Sequence, residues 1–203
     1  MKYMEVLPMK LIITLLLILC LLTSSFTLVH AADPTIYIHQ TGQTTSYAEG
    51  DDGAIQMGAA ATTPRFTDNA NGTVTDTLTG LVWLKNANCY GEQVWATAMI
   101  SASTLANGAC GLTDGSISGQ WRLPNRRELM SLVELSKYSP ALPVGHPFSG
   151  VQPYSYWSST TSSSYSDDAW YVDMLSGEVM ISYKFIKYNY SWSYFVWPVR
   201  SGQ

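Results

Sequence analysis

Histidines, cysteines and two clusters of acidic residues offer the most chemistry in this 203-residue chain. His30 stands beside Ala31-Ala32, His39 in a stretch of Thr, Gly and Gln, and His146 within Pro143-Val144-Gly145-His146-Pro147-Phe148. A nucleophilic triad needs a histidine held by folded elements. Only His146 meets that condition, and its proline-bounded loop reads as a rigid turn with a structural histidine. The serines from Ser158 to Ser166 then read as strand and loop positions rather than nucleophiles. Cys20 lies inside an apolar run, which leaves Cys89 and Cys110. With no Cys-x-x-Cys spacing and no neighbouring histidine, the pair reads as one disulfide closing a loop of about 20 residues, worth about 3 kcal/mol.

No motif calls for a cofactor, and calcium, which wants several oxygen ligands from carboxylates, amides and carbonyls, is the ion considered. Asp68, Asn69, Asn71 and Asp76 form one oxygen-rich group, which hairpin chemistry already explains. Asp167, Asp168 and Asp173 form a second, in a loop-and-strand region, and are the candidate metal ligands.

A third chemistry belongs to the tyrosines and tryptophans between Tyr154 and Trp197, interleaved with Ser, Asn and Asp. Sugar rings present apolar C–H faces and hydroxyl edges, so aromatic platforms beside short polar side chains suit them. Protein partners use the same residues. Trp157, Trp170 and Trp197 read as core. The surface candidates are Tyr165, Tyr188, Tyr190 and Trp192, with Lys184 and Lys187 as nearby cations. Arg126, Arg127 and Lys137 would complete a basic cluster for an anionic ligand.

These residues need elements to place them. Arg65-Phe66-Thr67 and Thr73-Val74-Thr75 flank Asn71-Gly72, a dipeptide suited to a tight hairpin turn with positive φ. Leu81-Val82-Trp83-Leu84 follows as a buried strand. Val94, Trp95, Ala98, Met99, Ala102 and Leu105 recur at helical spacing, and Asn107-Gly108 stops that helix. A second helix begins at Pro124-Asn125, where Asn125 and Glu128 form a capping pair ahead of the stripe Leu129, Leu132 and Val133. Tyr156–Thr160 reads as a strand, and Ala169–Met174 and Glu178–Ser182 as a hairpin around Ser176-Gly177. Tyr194–Arg200 closes the chain, with Pro198 at an edge or bulge. Two helices between groups of strands predict an α+β domain.

The first 31 residues read as an export signal. Lys2 and Lys10 precede the apolar run Leu11–Val29, and small residues suit cleavage after Ala31. The alternative is a retained membrane anchor. Cleavage would remove Lys2, Lys10 and Glu5, so 11 basic and 15 acidic residues become 9 and 14, net −5. That balance argues against nucleic-acid binding, and after cleavage no segment is left to span a membrane. Residues 32–64 then form an irregular arm, with one short strand at Ile36-Tyr37-Ile38, and residues 65–203 the folded module.

Six words stand in a recognisable order: Thr41-Gly42-Gln43-Thr44-Thr45, Arg65–Asn69, Thr75-Asp76 through Leu78-Thr79-Gly80-Leu81-Val82-Trp83, Trp121–Leu129, Tyr156–Thr160, and Val196-Trp197-Pro198-Val199-Arg200. In this the chain resembles the Lcl C-terminal domain family, named for the C-terminal module of Legionella collagen-like protein. It differs in having no cysteine in the arm. The resemblance implies a C-type-lectin-like fold related to the formylglycine-generating enzyme: two helices, a small antiparallel sheet and a long irregular loop region. For the named member it implies binding of sulfated glycans. The expected function is a secreted, periplasmic or surface-exposed, non-enzymatic module that recognises a glycan or cell-surface ligand in adhesion. A formylglycine-generating type of enzyme and a self-associating structural surface protein are the alternatives.

Overall fold

Short strands, more than helices, carry the large apolar residues of this chain into its interior. The structure, a computed structural model, describes residues 38–185 and 192–202. In chain order these form α1 (Asp52–Ile55), β1 (Phe66–Asp68), β2 (Thr73–Asp76), β3 (Leu81–Leu84), β4 (Glu92–Gln93), α2 (Trp95–Thr104) and α3 (Arg126–Ser131). Then follow β5 (Ser155–Thr161), β6 (Asp168–Asp173), β7 (Val179–Tyr183), β8 (Tyr194–Phe195) and β9 (Val199–Ser201). The class is mixed α+β, as the sequence predicts, but the strands build two sheets rather than one. The first has the order β1-β2-β3-β9 and the second β4-β8-β5-β6-β7. All their pairings are antiparallel except β5 with β8.

Pro198 explains how the chain serves both sheets. It lies between β8 in the second sheet and β9 in the first, where a missing N–H interrupts no ladder. Its carbonyl accepts from the Leu84 N–H at 3.0 Å, and the Trp197 indole N–H donates to the Leu84 carbonyl at 2.9 Å. Trp197 meets Trp83 and Phe148 edge-on, at centroid separations of 5.7 and 4.9 Å, in a core that also holds Trp121 and Tyr156. A second cluster forms under α2. There Ala98 and Ala102 are small enough to bring the helix against Trp157, Ala169 and Val196.

Local expectations hold in part. The capping box on α3 is present in both directions, with Asn125 Oδ1 accepting from the Glu128 N–H at 3.0 Å and Glu128 Oε2 from the Asn125 N–H at 2.8 Å. The β1–β2 turn differs from the sequence expectation. Asp68 pairs with Val74 and Asn69 N–H reaches the Thr73 carbonyl, so the loop holds three residues, with positive φ at Ala70 and Gly72 rather than at Asn71 and Gly72. Contacts decide this: Lys85 N–H binds the Gly72 carbonyl and Thr113 N–H binds the Asn71 carbonyl. A Cβ at Gly72 would collide with the Gly111 backbone.

The first long helix, α2, ends at Thr104, because Leu105 turns to ψ 134° and buries its side chain. The arm contains a helical turn, α1, capped by the Asp51 carboxyl. Ile36 and Tyr37 of the expected arm strand, like the export signal, lie outside the described residues. Ile38 is exposed and in no strand, while His39 makes an isolated bridge to Ala59. Trp170 is half-buried instead of core, since it faces α3 and carries the Arg126 guanidinium 4.3 Å from its ring.

Candidate functional site

The words that recur in order along the chain turn out to be joints between elements. Asp76 is fully buried, and four donors satisfy it. Arg65 binds both oxygens, at 3.1 and 2.9 Å, Leu78 N–H reaches Oδ1 at 3.1 Å, and the Thr79 hydroxyl reaches Oδ2 at 3.0 Å. Arg65 also donates to the Ser131 carbonyl at the end of α3. Trp121-Arg122-Leu123 is tied to β9 through reciprocal Arg122–Val199 backbone bonds at 3.0 and 2.9 Å. The Arg122 side chain grips Glu128 with two bonds of 2.7 and 2.6 Å. Burial pushes the Glu128 carboxyl up, but Arg122 and the Asn125 N–H outweigh it and hold it below its ordinary value. Tyr156–Thr160 docks on the start of α3: Ser159 N–H reaches the Pro124 carbonyl at 2.7 Å, and Thr160 Oγ1 accepts from the Arg126 N–H at 2.9 Å. Ser158 is buried, not exposed, and its hydroxyl donates to the Trp170 carbonyl at 2.7 Å.

The two remaining cysteines are joined. Cys89 and Cys110 form a disulfide with their Cα atoms 5.7 Å apart, linking the loop after β3 to the loop after α2.

The loop between β5 and β6 holds the candidate binding pocket, a hollow of about 630 Å³ lined by Ser164, Tyr165, Ser166, Asp167, Asp168 and Tyr183. Its floor is fixed by the backbone. Asp168 N–H reaches the Tyr165 carbonyl at 3.0 Å, Ser162 N–H the Asp168 carbonyl at 2.9 Å, and Lys184 N–H the Asp167 carbonyl at 2.9 Å. Tyr165 stands 62% exposed over this frame, whereas Asp168 is only 8% exposed. One carboxyl oxygen of Asp168, Oδ1, is buried without any hydrogen-bond partner. Such an atom forfeits a free energy that a donor from a ligand restores.

The sequence-derived site residues distribute unevenly around this pocket. Tyr165 lines it. Lys184 braces it: its ammonium donates to Thr161 Oγ1 at 2.7 Å and to the Ser166 carbonyl at 2.8 Å, and lies 4.6 Å from the Trp95 ring centroid. Trp192 is 39% exposed and outside the lining. Tyr188, Tyr190 and Lys187 lie outside the described residues.

The acidic trio does not converge. Asp167 and Asp168 flank the pocket, but Asp173 sits at the far end of β6, five residues and about 16 Å away. Its Oδ1 is occupied by the Leu175 N–H at 2.7 Å. Among the described residues no three His, Cys, Asp or Glu side chains come together as a metal would need. The other oxygen-rich group is committed to its hairpin, with Asp68 bonded to the Ala70 N–H and to Lys85 Nζ, and Asn71 to Thr73. The basic residues also disperse: Arg126 stacks on Trp170, while Arg127 lines a different cavity.

That second cavity is a groove of about 780 Å³ between the arm and α3, which sequence reasoning missed because no motif marks it. Its walls are largely apolar, with Phe66, Leu78, Met130, Val133, Pro143 and Val144 among the lining residues. His146 lines it with Nδ1 buried and unpartnered, and burial pushes the imidazole below its ordinary pKa. His39 and Arg127 share the same groove. Of the pocket lining, Ser164 and Ser166 were missed in the sequence, and Tyr183 belongs to the aromatic and polar stretch without being among its surface candidates. The signals that pointed toward them were that stretch and the Asp167-Asp168 doublet preceding the apolar strand β6.

An α+β module of two sheets, jointed by these words and closed by a disulfide, is the class that the structure defines. The chain belongs to the Lcl C-terminal domain family, whose profile matches residues 72–200. Neither the curated proteins nor the solved structures compared with it give a match.

Proposed function

We propose that this chain is an extracytoplasmic, non-enzymatic recognition module of C-type-lectin-like organisation, which binds a glycan at the Tyr165–Asp168 pocket in an adhesive role. The observation that carries the reading is that one pocket is lined by both the exposed Tyr165 and Asp168, whose Oδ1 is buried and unpartnered. A sugar supplies both complements, hydroxyl donors for the carboxyl and an apolar C–H face for the ring. The lining carries Asp167 and Asp168 and, among the described residues, no basic side chain, which favours a hydroxyl-rich neutral glycan over a sulfated one. The Cys89–Cys110 disulfide suits an oxidising compartment and occupies both thiols that an oxygen-activating cysteine pair would need.

Glycan-array screening followed by titration of the best ligand tests this reading. Asp168→Asn and Tyr165→Ala are each expected to weaken binding by about tenfold or more, the scale of one hydrogen bond to a charged group or one aromatic platform. Unchanged affinity in both variants would remove the pocket from consideration.

A further inference from the structure

We infer that the Tyr165–Asp168 pocket selects a glycan that carries a free, protonated amine, as a de-N-acetylated hexosamine does. The inference rests on the glycan reading of that pocket and narrows its ligand class.

The lining sets the charge. Of its six residues two are acids, Asp167 and Asp168, and none is a base. Among the described residues no salt bridge involves either carboxylate. Lys184, the cation that braces the loop, donates instead to Thr161 Oγ1 and the Ser166 carbonyl and lies against the Trp95 ring. Asp167 is exposed, and its backbone carbonyl rather than its carboxylate accepts from the Lys184 N–H. Asp168 is only 8% exposed, and its Oδ1 has no donor.

Charge then orders the ligands. The absence of a base places a sulfated glycan below a neutral one, and the two acids place an amine-bearing glycan above it. A sugar hydroxyl offers Asp168 Oδ1 one neutral donor. An ammonium offers three donors and the opposite charge, and bonds between two charged groups are about twice as strong as neutral ones. It also supplies the counter-charge that a buried carboxylate otherwise lacks. The Tyr165 ring, exposed in the same lining, attracts a cation as well as the C–H face of the sugar that bears it. A metal asks for more. Calcium takes about six to eight oxygen ligands, and no third His, Cys, Asp or Glu side chain joins this pair among the described residues.

Titration calorimetry of the purified protein at about pH 6, where an amine holds its proton, tests the selectivity with three probes. These are a glucosamine trimer, its fully N-acetylated counterpart, and trilysine. The glucosamine trimer is expected to bind about tenfold tighter than the acetylated one, which is the gap between a charged and a neutral hydrogen bond. The gap should narrow as salt rises. Asp167→Asn and Asp168→Asn should each narrow it as well. Asp167→Asn alters an exposed side chain, so it decides the case if near-UV circular dichroism shows Asp168→Asn to be unfolded. An acetylated trimer that binds as tightly as the free amine, no binding of either trimer, or a gap that Asp167→Asn leaves whole overturns the proposal. Trilysine binding as tightly as the glucosamine trimer overturns it too, because the pocket would then read the amine without the sugar. A neutral glycan that binds through Tyr165 and Asp168 with no gain from an amine leaves the glycan reading standing while this selectivity falls. Loss of all glycan binding removes both.

Discussion

Asp76 and Asp168 are both buried carboxyls at strand ends, yet they are opposite in kind. Four donors converge on Asp76, from Arg65, Leu78 and Thr79, and the bonds connect β1, β2 and the turn into β3. Asp168 keeps an oxygen that nothing in the described structure satisfies, and the residue lines an open pocket. Burial alone therefore does not separate a structural acid from a recognition acid. The hydrogen-bond inventory does, because a fully satisfied buried group holds a fold together, while an unsatisfied one lowers stability unless something binds. The arm groove is larger and more apolar; its Arg65 and Glu134 already have partners, Asp76 with the Ser131 carbonyl for Arg65 and Ser136 for Glu134, but it too holds an unsatisfied buried atom, His146 Nδ1.

The contrast breaks most sharply at Asp76. Asp76→Ala leaves the buried Arg65 guanidinium without its carboxylate, with the Ser131 carbonyl as its remaining acceptor, which is expected to cost about 3–5 kcal/mol. Denaturant unfolding should show this as a large loss or as failure to fold, and near-normal stability would mean the joint is dispensable. Next in size, Cys89→Ser with Cys110→Ser should cost about 3 kcal/mol by freeing a 21-residue separation in the unfolded chain. The same unfolding experiment reads it, with reduction of the unaltered protein as a parallel check.

A smaller effect is expected at Glu128. Its carboxyl is held below the ordinary value of 4.5, so the unfolded chain binds the proton first as pH falls. The stability it contributes is therefore present above about pH 4.5 and is lost as pH drops through its folded value. Thermal melts between neutral and acid pH should show a steeper acid decline in the unaltered protein than in Glu128→Gln. Equal slopes would contradict the role of the Arg122–Glu128 clamp.

Much of the architecture was legible in the residues, because local rules and tertiary contacts agree there. Asn125-x-x-Glu128 is a capping box in sequence and in space, and Tyr156–Thr160 and Ala169–Met174 mark β5 and β6. The Asn71-Gly72 turn shows the limit. Its local preference loses to contacts with Lys85 and Thr113, residues that a turn rule cannot see. Trp170 fails for a related reason, since only the approach of Arg126 on α3 turns it from core into platform. The site was half legible. Tyr165 stands out in the sequence by its polar, aromatic company, and Asp168 reads there as a possible metal ligand. Its orphaned oxygen is a property of the folded neighbourhood. Asp173 groups with it only by spacing in the chain, which strand geometry stretches along β6.

The most direct test of this account is a paired measurement on Asp168→Asn: thermal stability without ligand and affinity for the glycan selected by array. The account predicts a melting temperature unchanged or slightly raised, because no native hydrogen bond to Oδ1 is lost, together with binding weakened about tenfold or more. A melting temperature lowered by several degrees with affinity intact would contradict it, and would place Asp168 beside Asp76 as a residue of the fold.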